Sequence, residues 1–116
     1  MAAFPEVADF ASQLVTSNVL GLYNTLEAAR LASVKRIILA SSCQAAFLRN
    51  TPKPIKVKER FPLNHYGLTK LWAEDMGQMY SRRRGLSVLA VRLGWGKHMG
   101  GLRYQASQDD VCSGRE

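Results

Sequence analysis

Cysteine is scarce in this chain, and long apolar runs are absent. Two cysteines, Cys43 and Cys112, are too few for a framework of disulfides, and no Cys/His cluster has metal-ligand spacing. No apolar run is long enough for a membrane-spanning helix, and the first residues lack the basic and apolar regions of a secretion signal. We therefore expect a cytoplasmic protein without a metal site and without a membrane partner.

Length and composition indicate one globular unit. The 116 residues leave room for one domain at most. Hydrophobic residues make up 47% and charged residues 22%, close to the average of globular proteins, so a packed core is expected. We predict a domain over residues 1–104 and a polar, flexible tail over residues 105–116.

The net charge of +7 raises the question of a polyanionic partner. The excess lies in two places, a loop with Lys53, Lys56, Lys58 and Arg60 and the run Arg82-Arg83-Arg84. Neither is interleaved with the aromatic residues that stack on bases, and cations in a last helical turn offset the helix dipole. We interpret both as solvated charges and predict no nucleic-acid partner.

The apolar pattern predicts an α/β fold in the order helix, strand, helix, strand. Helical spacing runs over residues 5–32 and again over residues 66–84, where Gly85 suits the position after a helix. Short β-branched runs at residues 35–42 and 86–93 predict parallel strands joined by a right-handed crossover, the first of them buried on both faces. Two helices cannot cover both faces of a parallel sheet, so the chain is expected to pair with something or to be part of a larger fold.

Candidate catalytic residues lie at the start of the second helix and the end of the first strand. Tyr66 and Lys70 are four residues apart, hence on one helix face. A neighbouring cation favours the phenolate and lowers the pKa of a tyrosine, which can then exchange a proton with a carbinol or carbonyl oxygen. Ser42 ends the first strand, where ligands of open α/β sheets bind.

Three segments in this order resemble a known family. Residues 18–30, the pair Ser41-Ser42 and residues 66–70 look like the middle of an extended short-chain dehydrogenase/reductase, the NAD-dependent epimerase/dehydratase family. The resemblance covers about residues 9–95. It implies NAD or NADP as cofactor and a sugar or sugar nucleotide as substrate.

The resemblance also implies roles for individual residues. Tyr66 is the acid/base, Lys70 holds the nicotinamide ribose and lowers the pKa of the tyrosine, and Ser42 orients the substrate, a role less expected of Ser41. Asn18 matches a family asparagine, for which a supporting and a catalytic role are both open.

Departures from the family pattern reduce the number of candidate reactions. Dehydratases have Asp-Glu after the hydroxyl residue, whereas this chain has Cys43-Gln44. The Tyr-Gly of many 4-epimerases is replaced within Ala46-Phe47-Leu48, and the segment looks more like the uronate dehydrogenases. A dehydratase is disfavoured, while dehydrogenase and epimerase both remain open.

The family's first strand, glycine-rich turn and helix, which cradle the dinucleotide phosphates, have no counterpart here. Gly94-x-Gly96-x-x-x-Gly100 follows a strand, but its last glycine is one position late. We therefore expect a partial Rossmann-like fold without the N-terminal βαβ unit, and a truncated family member that is weak or inactive alone.

A second hypothesis is a non-catalytic truncated paralogue. Extended family members dimerise through helices that correspond to residues 5–32 and 66–84. The resemblance therefore implies a homodimer, or a complex with a full-length relative, through these two helices.

Overall fold

The first helix begins where Asp9 caps it. The computed structural model describes residues 8–46, 56–94 and 111–112. Asp9 Oδ1 accepts a hydrogen bond from the Ser12 N–H at 2.8 Å. Phe10–Leu20 has π-helical hydrogen bonding and continues without a break into helix α1, Gly21–Leu31. The predicted helix over residues 5–32 is present from Phe10 onward, and residues 5–7 lie outside the described part.

The second helix is delimited by a side-chain cap and a glycine. Helix α2 spans His65–Arg84, and Asn64 caps it by accepting a hydrogen bond from the Gly67 N–H at 2.7 Å. It ends at Gly85, whose φ of 68° lies in the left-handed region that glycine adopts with little strain. The predicted stop at Gly85 is confirmed.

Helix α2 is the crossover between two parallel strands. Strand β1 spans Arg36–Ser42 and is followed by a single 3₁₀ turn at Cys43–Ala45, while strand β2 spans Ser87–Leu93. The strands pair in parallel from Arg36 opposite Ser87 to Ser42 opposite Leu93. The predicted α/β order, helix, strand, helix, strand, is confirmed.

A short strand near the C-terminus extends the sheet. Strand β3, Val111–Cys112, pairs antiparallel with β2, which gives the sheet order β1-β2-β3. The other residues of the predicted tail lie outside the described part, so its flexibility stays a prediction.

The core lies between the two helices and one face of the sheet. Its buried members come from α1, α2, β1 and the segment before β2: Leu22, Leu26, Leu39, Ala73, Tyr80 and Leu86. Leu26 is fully buried at 0% exposure, and Tyr80 is 2% exposed. This cluster holds the helices against the Leu39 face of the sheet.

In the described residues, the opposite face of the sheet is exposed and no helix covers it. Ile38, Leu89 and Leu93 are 68%, 56% and 52% exposed. The prediction that β1 is buried on both faces is therefore wrong for residues 8–46 and 56–94. The reason is that the described helices and the core cluster lie on one side only, while an alternating strand directs every second side chain to the other side.

Candidate active site

Helix α2 begins in direct contact with the turn that follows β1. A Cβ added at Gly67 would lie 2.3 Å from the backbone oxygen of Gln44, so only a residue without a side chain fits this approach. The cap residue Asn64 adds a second link, because its Nδ2 donates to Gln44 Oε1 at 2.8 Å. The first turn of α2 is thus fixed against the carboxyl end of β1.

Ser42 lies at that end of β1. It is the last residue of the strand and is 8% exposed. Its Oγ accepts a hydrogen bond from the Gln44 N–H at 3.2 Å. Because the hydroxyl is the acceptor in this contact, its own O–H remains a donor that can reach a ligand oxygen.

Lys70 joins Tyr66 to the same strand. The Lys70 Nζ donates to the backbone oxygen of Ala40 at 3.0 Å and lies 5.5 Å from the centre of the Tyr66 ring. The carbonyl belongs to β1, two residues before Ser42. The structure therefore gathers Ser42, Tyr66 and Lys70 at one corner, between the end of β1 and the start of α2.

Burial shapes the chemistry of Lys70. The side chain is 7% exposed, and its desolvation lowers the pKa of Lys70 from the ordinary value of 10.5. An ammonium has three N–H donors, and the bond to Ala40 uses one of them. Lys70 is consequently placed to donate hydrogen bonds to a ligand beside the Tyr66 ring.

Asn18 supports the turn that carries Tyr66. Asn18 is 3% exposed, and its Nδ2 donates to Thr69 Oγ1 at 3.1 Å. Thr69 in turn donates its hydroxyl proton to the backbone oxygen of Tyr66 at 2.8 Å. This hydrogen bond corresponds to the supporting role, which is one of the two roles left open for Asn18.

A buried ion pair behind the site was not predicted from the sequence. The Arg92 Nε and Nη2 donate to the two carboxylate oxygens of Glu74, each at 2.8 Å, and Ser41 Oγ donates to Glu74 Oε1 at 2.5 Å. The signals available were the position of Glu74, four residues after Lys70 and eight after Tyr66, and a lone arginine within an apolar strand.

Two other classes of site are absent from the described residues. Residues 8–46 and 56–94 contain no group of three or more His, Cys, Asp or Glu side chains that could hold a metal ion. No helix in that same portion is long and apolar enough to cross a membrane.

A parallel β-α-β unit with a hydroxyl at the strand end and a Tyr-x-x-x-Lys helix start defines a Rossmann-like α/β protein. The NAD dependent epimerase/dehydratase family model matches residues 2–108. The chain belongs to this family, and the family resemblance seen in the sequence is confirmed.

Curated relatives and solved structures agree with this assignment. Uronate dehydrogenase of Pseudomonas putida is 35% identical over 83 residues, covering 71% of this chain and 31% of that protein. L-arabinose 1-dehydrogenase (NAD(P)(+)) of Haloferax volcanii is 31% identical over 91 residues, covering 67% of this chain and 36% of that protein.

Among solved structures, UDP-glucose 4-epimerase from Brucella ovis in complex with NAD has a TM-score of 0.65 at 29% identity, covering 83% of this chain and 32% of that chain. Relatives thus include sugar dehydrogenases and nucleotide-sugar epimerases. The chain spans about a third of the length of both dehydrogenases and of this epimerase.

Proposed function

We propose that this chain carries the proton-transfer residues of an NAD(P)-dependent oxidoreductase or epimerase acting on a hydroxyl or carbonyl group of a sugar or sugar nucleotide. The observation that carries the proposal is the position of Lys70, whose Nζ contacts β1 through Ala40 and lies over the Tyr66 ring. This contact joins the phenol to the strand end that bears Ser42.

Each residue has a distinct task. Ser42 donates a hydrogen bond to the reacting oxygen and holds it in place. Tyr66 exchanges a proton with that oxygen, and the Lys70 ammonium favours the phenolate form needed for the exchange. When bound, the nicotinamide supplies the hydride acceptor or donor. Burial of Ser42 and Lys70 limits water at the corner and strengthens these charge interactions.

Lys70 and Tyr66 suit the nicotinamide end of the dinucleotide. Lys70 and Tyr66 would hold the nicotinamide ribose, since an ammonium with spare N–H donors suits ribose hydroxyls. In residues 8–46 and 56–94 no glycine-rich turn leads from a strand into a helix to cradle the phosphates. We therefore expect weak cofactor affinity and slow turnover from these 116 residues by themselves, with NAD and NADP both kept as candidates.

Dehydrogenation of a sugar acid or aldose is the reaction we favour. Cys43-Gln44 departs from the dehydratase pattern, and relatives named uronate dehydrogenase and L-arabinose 1-dehydrogenase support a sugar dehydrogenase. Epimerisation of a nucleotide sugar is the alternative reaction at the same three residues. We place the protein in the cytoplasm, where the pyridine nucleotide cofactors are available.

Cofactor binding is tested by thermal unfolding with and without millimolar NAD or NADP. Binding to the folded state raises Tm, and the rise grows with the logarithm of the cofactor concentration once that concentration exceeds Kd. We expect a shift for the wild type, no shift for Lys70→Met, and an unchanged shift for Lys35→Met, which alters an exposed lysine just before β1. Equal shifts for both variants would contradict the role of Lys70.

A second candidate function is association without catalysis, through the helices at residues 5–32 and 66–84. It is favoured by large apolar side chains that are exposed on both: Leu20 at 52%, Tyr23 at 47%, Leu31 at 72% and Met79 at 45%. Light scattering at micromolar concentration tests it. A dimer that Met79→Glu dissociates, without any cofactor shift, would favour this function, whereas a monomer that ignores full-length relatives would remove it.

A further inference from the structure

We propose that Glu74 is a positioning residue of the candidate site. Through Ser41 and Arg92 it fixes helix α2 against the ends of both parallel strands. It thereby sets Tyr66 and Lys70 relative to Ser42. This inference rests on the proposed function and assigns Glu74 no contact with substrate or cofactor.

The ion pair is buried and fully hydrogen-bonded. The side chains of Arg92 and Glu74 are 10% and 11% exposed, and the two carboxylate oxygens each accept one guanidinium donor. Ser41 Oγ adds a third hydrogen bond to the carboxylate. A bidentate pair of this kind fixes both distance and orientation, because its planar groups must face each other.

Four segments meet at this pair. Ser41 comes from β1, Glu74 from α2 and Arg92 from β2. The Arg92 Nη1 also donates to the backbone oxygen of Glu59 at 2.9 Å, in the segment that leads to α2. The carboxylate therefore ties together the elements that carry the three candidate site residues.

The placement of Glu74 within α2 relates it directly to the site. Tyr66, Lys70 and Glu74 follow one another at intervals of four residues, which places them along one face of the helix. Ser41 precedes Ser42 in β1. A shift of α2 along the strand would break the Ser41–Glu74 hydrogen bond and move Lys70 away from Ala40.

Apolar packing alone does not set this register. The apolar contacts of α2 with the sheet, including Leu39 and Val88 packed against Gly77, oppose separation and large sliding but set no hydrogen-bond geometry. The hydrogen bonds of Glu74 are directional. We infer that the buried pair is kept for the geometry it imposes, since replacing such a pair by apolar residues is often neutral for stability.

The test measures the exposure of Lys70 in the absence of any substrate. The chain is treated with an amine-acetylating reagent, and labelling of Lys70 is followed by peptide mass spectrometry relative to the exposed Lys35. In Glu74→Met combined with Arg92→Met, no buried charge is left unpaired, so we expect the fold to be retained, which the Tm checks. We expect Lys70 to label about tenfold faster than in the wild type, because local opening of α2 exposes its ammonium.

Matched variants separate positioning from stability. Asp75→Asn removes the neighbouring carboxylate, whose pair with Arg60 lies at the surface, and should leave Lys70 labelling unchanged. Ser41→Ala should raise Lys70 labelling while keeping the ion pair, and Ser41→Thr, which retains the hydroxyl, should restore protection. These two single variants carry the test if the double variant does not fold.

The outcomes are distinct from those that test the proposed function. If Lys70 is labelled at the wild-type rate both in the double variant and in Ser41→Ala, the inference is overturned and the ion pair is purely structural. Faster labelling combined with no cofactor-dependent turnover in the wild type would support the positioning role and contradict the proposed reaction. Where turnover is measured, Ser41→Ala should lower kcat and raise KM for the cofactor, because it displaces Lys70 from the ribose that this lysine is proposed to hold.

Discussion

The two ends of helix α2 are held in place by different physics. Its first turns, from Asn64 to Lys70, are fixed by hydrogen bonds and by the backbone contact of Gly67 with Gln44. Its last turns are fixed mainly by the core, where Tyr80 packs with Leu26 and Leu86. The Ser81 hydroxyl adds two hydrogen bonds, donating to the Leu86 oxygen and accepting from the Val88 N–H. The first turns of α2 thus depend on directional contacts with the end of β1, whereas the last turns depend mainly on apolar burial, so variants at the two ends should fail in different ways.

Gly67→Ala should have the largest effect on the site end. A Cβ at 2.3 Å from the Gln44 oxygen meets rigid backbone, so α2 must move or the turn must open. Overpacking of this kind costs about 2–3 kcal/mol of unfolding free energy, measured by urea denaturation.

Gly21→Ala is the matched control, since its Cβ would lie at an ordinary 3.6 Å from the Thr16 oxygen. In a helix interior alanine is favoured over glycine, so this variant should gain up to about 1 kcal/mol. Equal losses at both glycines would remove the argument for a close approach at Gly67.

Asn64→Ala should have an intermediate effect. It removes the cap of α2 and the hydrogen bond to Gln44, with an expected loss of about 1 kcal/mol measured by thermal unfolding. Asn64→Asp keeps the cap acceptor and loses the donor to Gln44. If Asn64→Asp restores stability but Lys70 is acetylated faster than in the wild type, the hydrogen bond from Asn64 to Gln44 positions α2 rather than stabilising it. Wild-type stability together with a wild-type rate of Lys70 acetylation in Asn64→Asp would show that the cap hydrogen bond alone matters.

The smallest effect is expected at the other end of α2, at the hydrogen bonds that Glu27 accepts beside the core. Tyr80 donates to Glu27 Oε1 at 2.5 Å, and Arg30 donates to the same carboxylate. The Arg30 and Tyr80 hydrogen bonds lower the pKa of Glu27 from 4.5 to about 2. Burial, with the Glu27 contact, raises the pKa of Tyr80 from 10.0 to about 12.

The two pKa shifts predict that Glu27 and Tyr80 lose their stabilising contributions at opposite ends of the pH range. A lowered carboxyl pKa stabilises the fold above its ordinary value of 4.5, and the gain is lost as the pH falls towards 2. A raised phenol pKa stabilises the fold below 10, and the gain is lost as the pH rises towards 12. The Tm advantage of the wild type over Glu27→Gln should therefore shrink in acid, and its advantage over Tyr80→Phe should shrink in base. Parallel Tm curves across both windows would contradict the assignment.

The sequence predicted those features whose determinants are local. The strand that ends at Ser42, the helix start with Tyr66 and Lys70, and the stop at Gly85 each follow from residues within one or two turns. The bare sheet face at Ile38 and Leu89 was mispredicted, because strand periodicity does not report which helices cover each face. The Glu74–Arg92 pair was missed because its partners lie on different elements, and the role of Gly67 depends on where the Gln44 turn lies in space.

The role proposed for Tyr66, held beside Lys70, is to transfer the proton in a cofactor-dependent reaction. The most direct measurement is NADH or NADPH formation at 340 nm with millimolar cofactor and a uronic acid or aldose, comparing wild type, Tyr66→Phe and the exposed-site control Tyr23→Phe. We predict slow formation by the wild type and by Tyr23→Phe, and a rate lower by about 100-fold or more for Tyr66→Phe. No formation by the wild type at any cofactor concentration, or equal rates for all three proteins, would contradict the account.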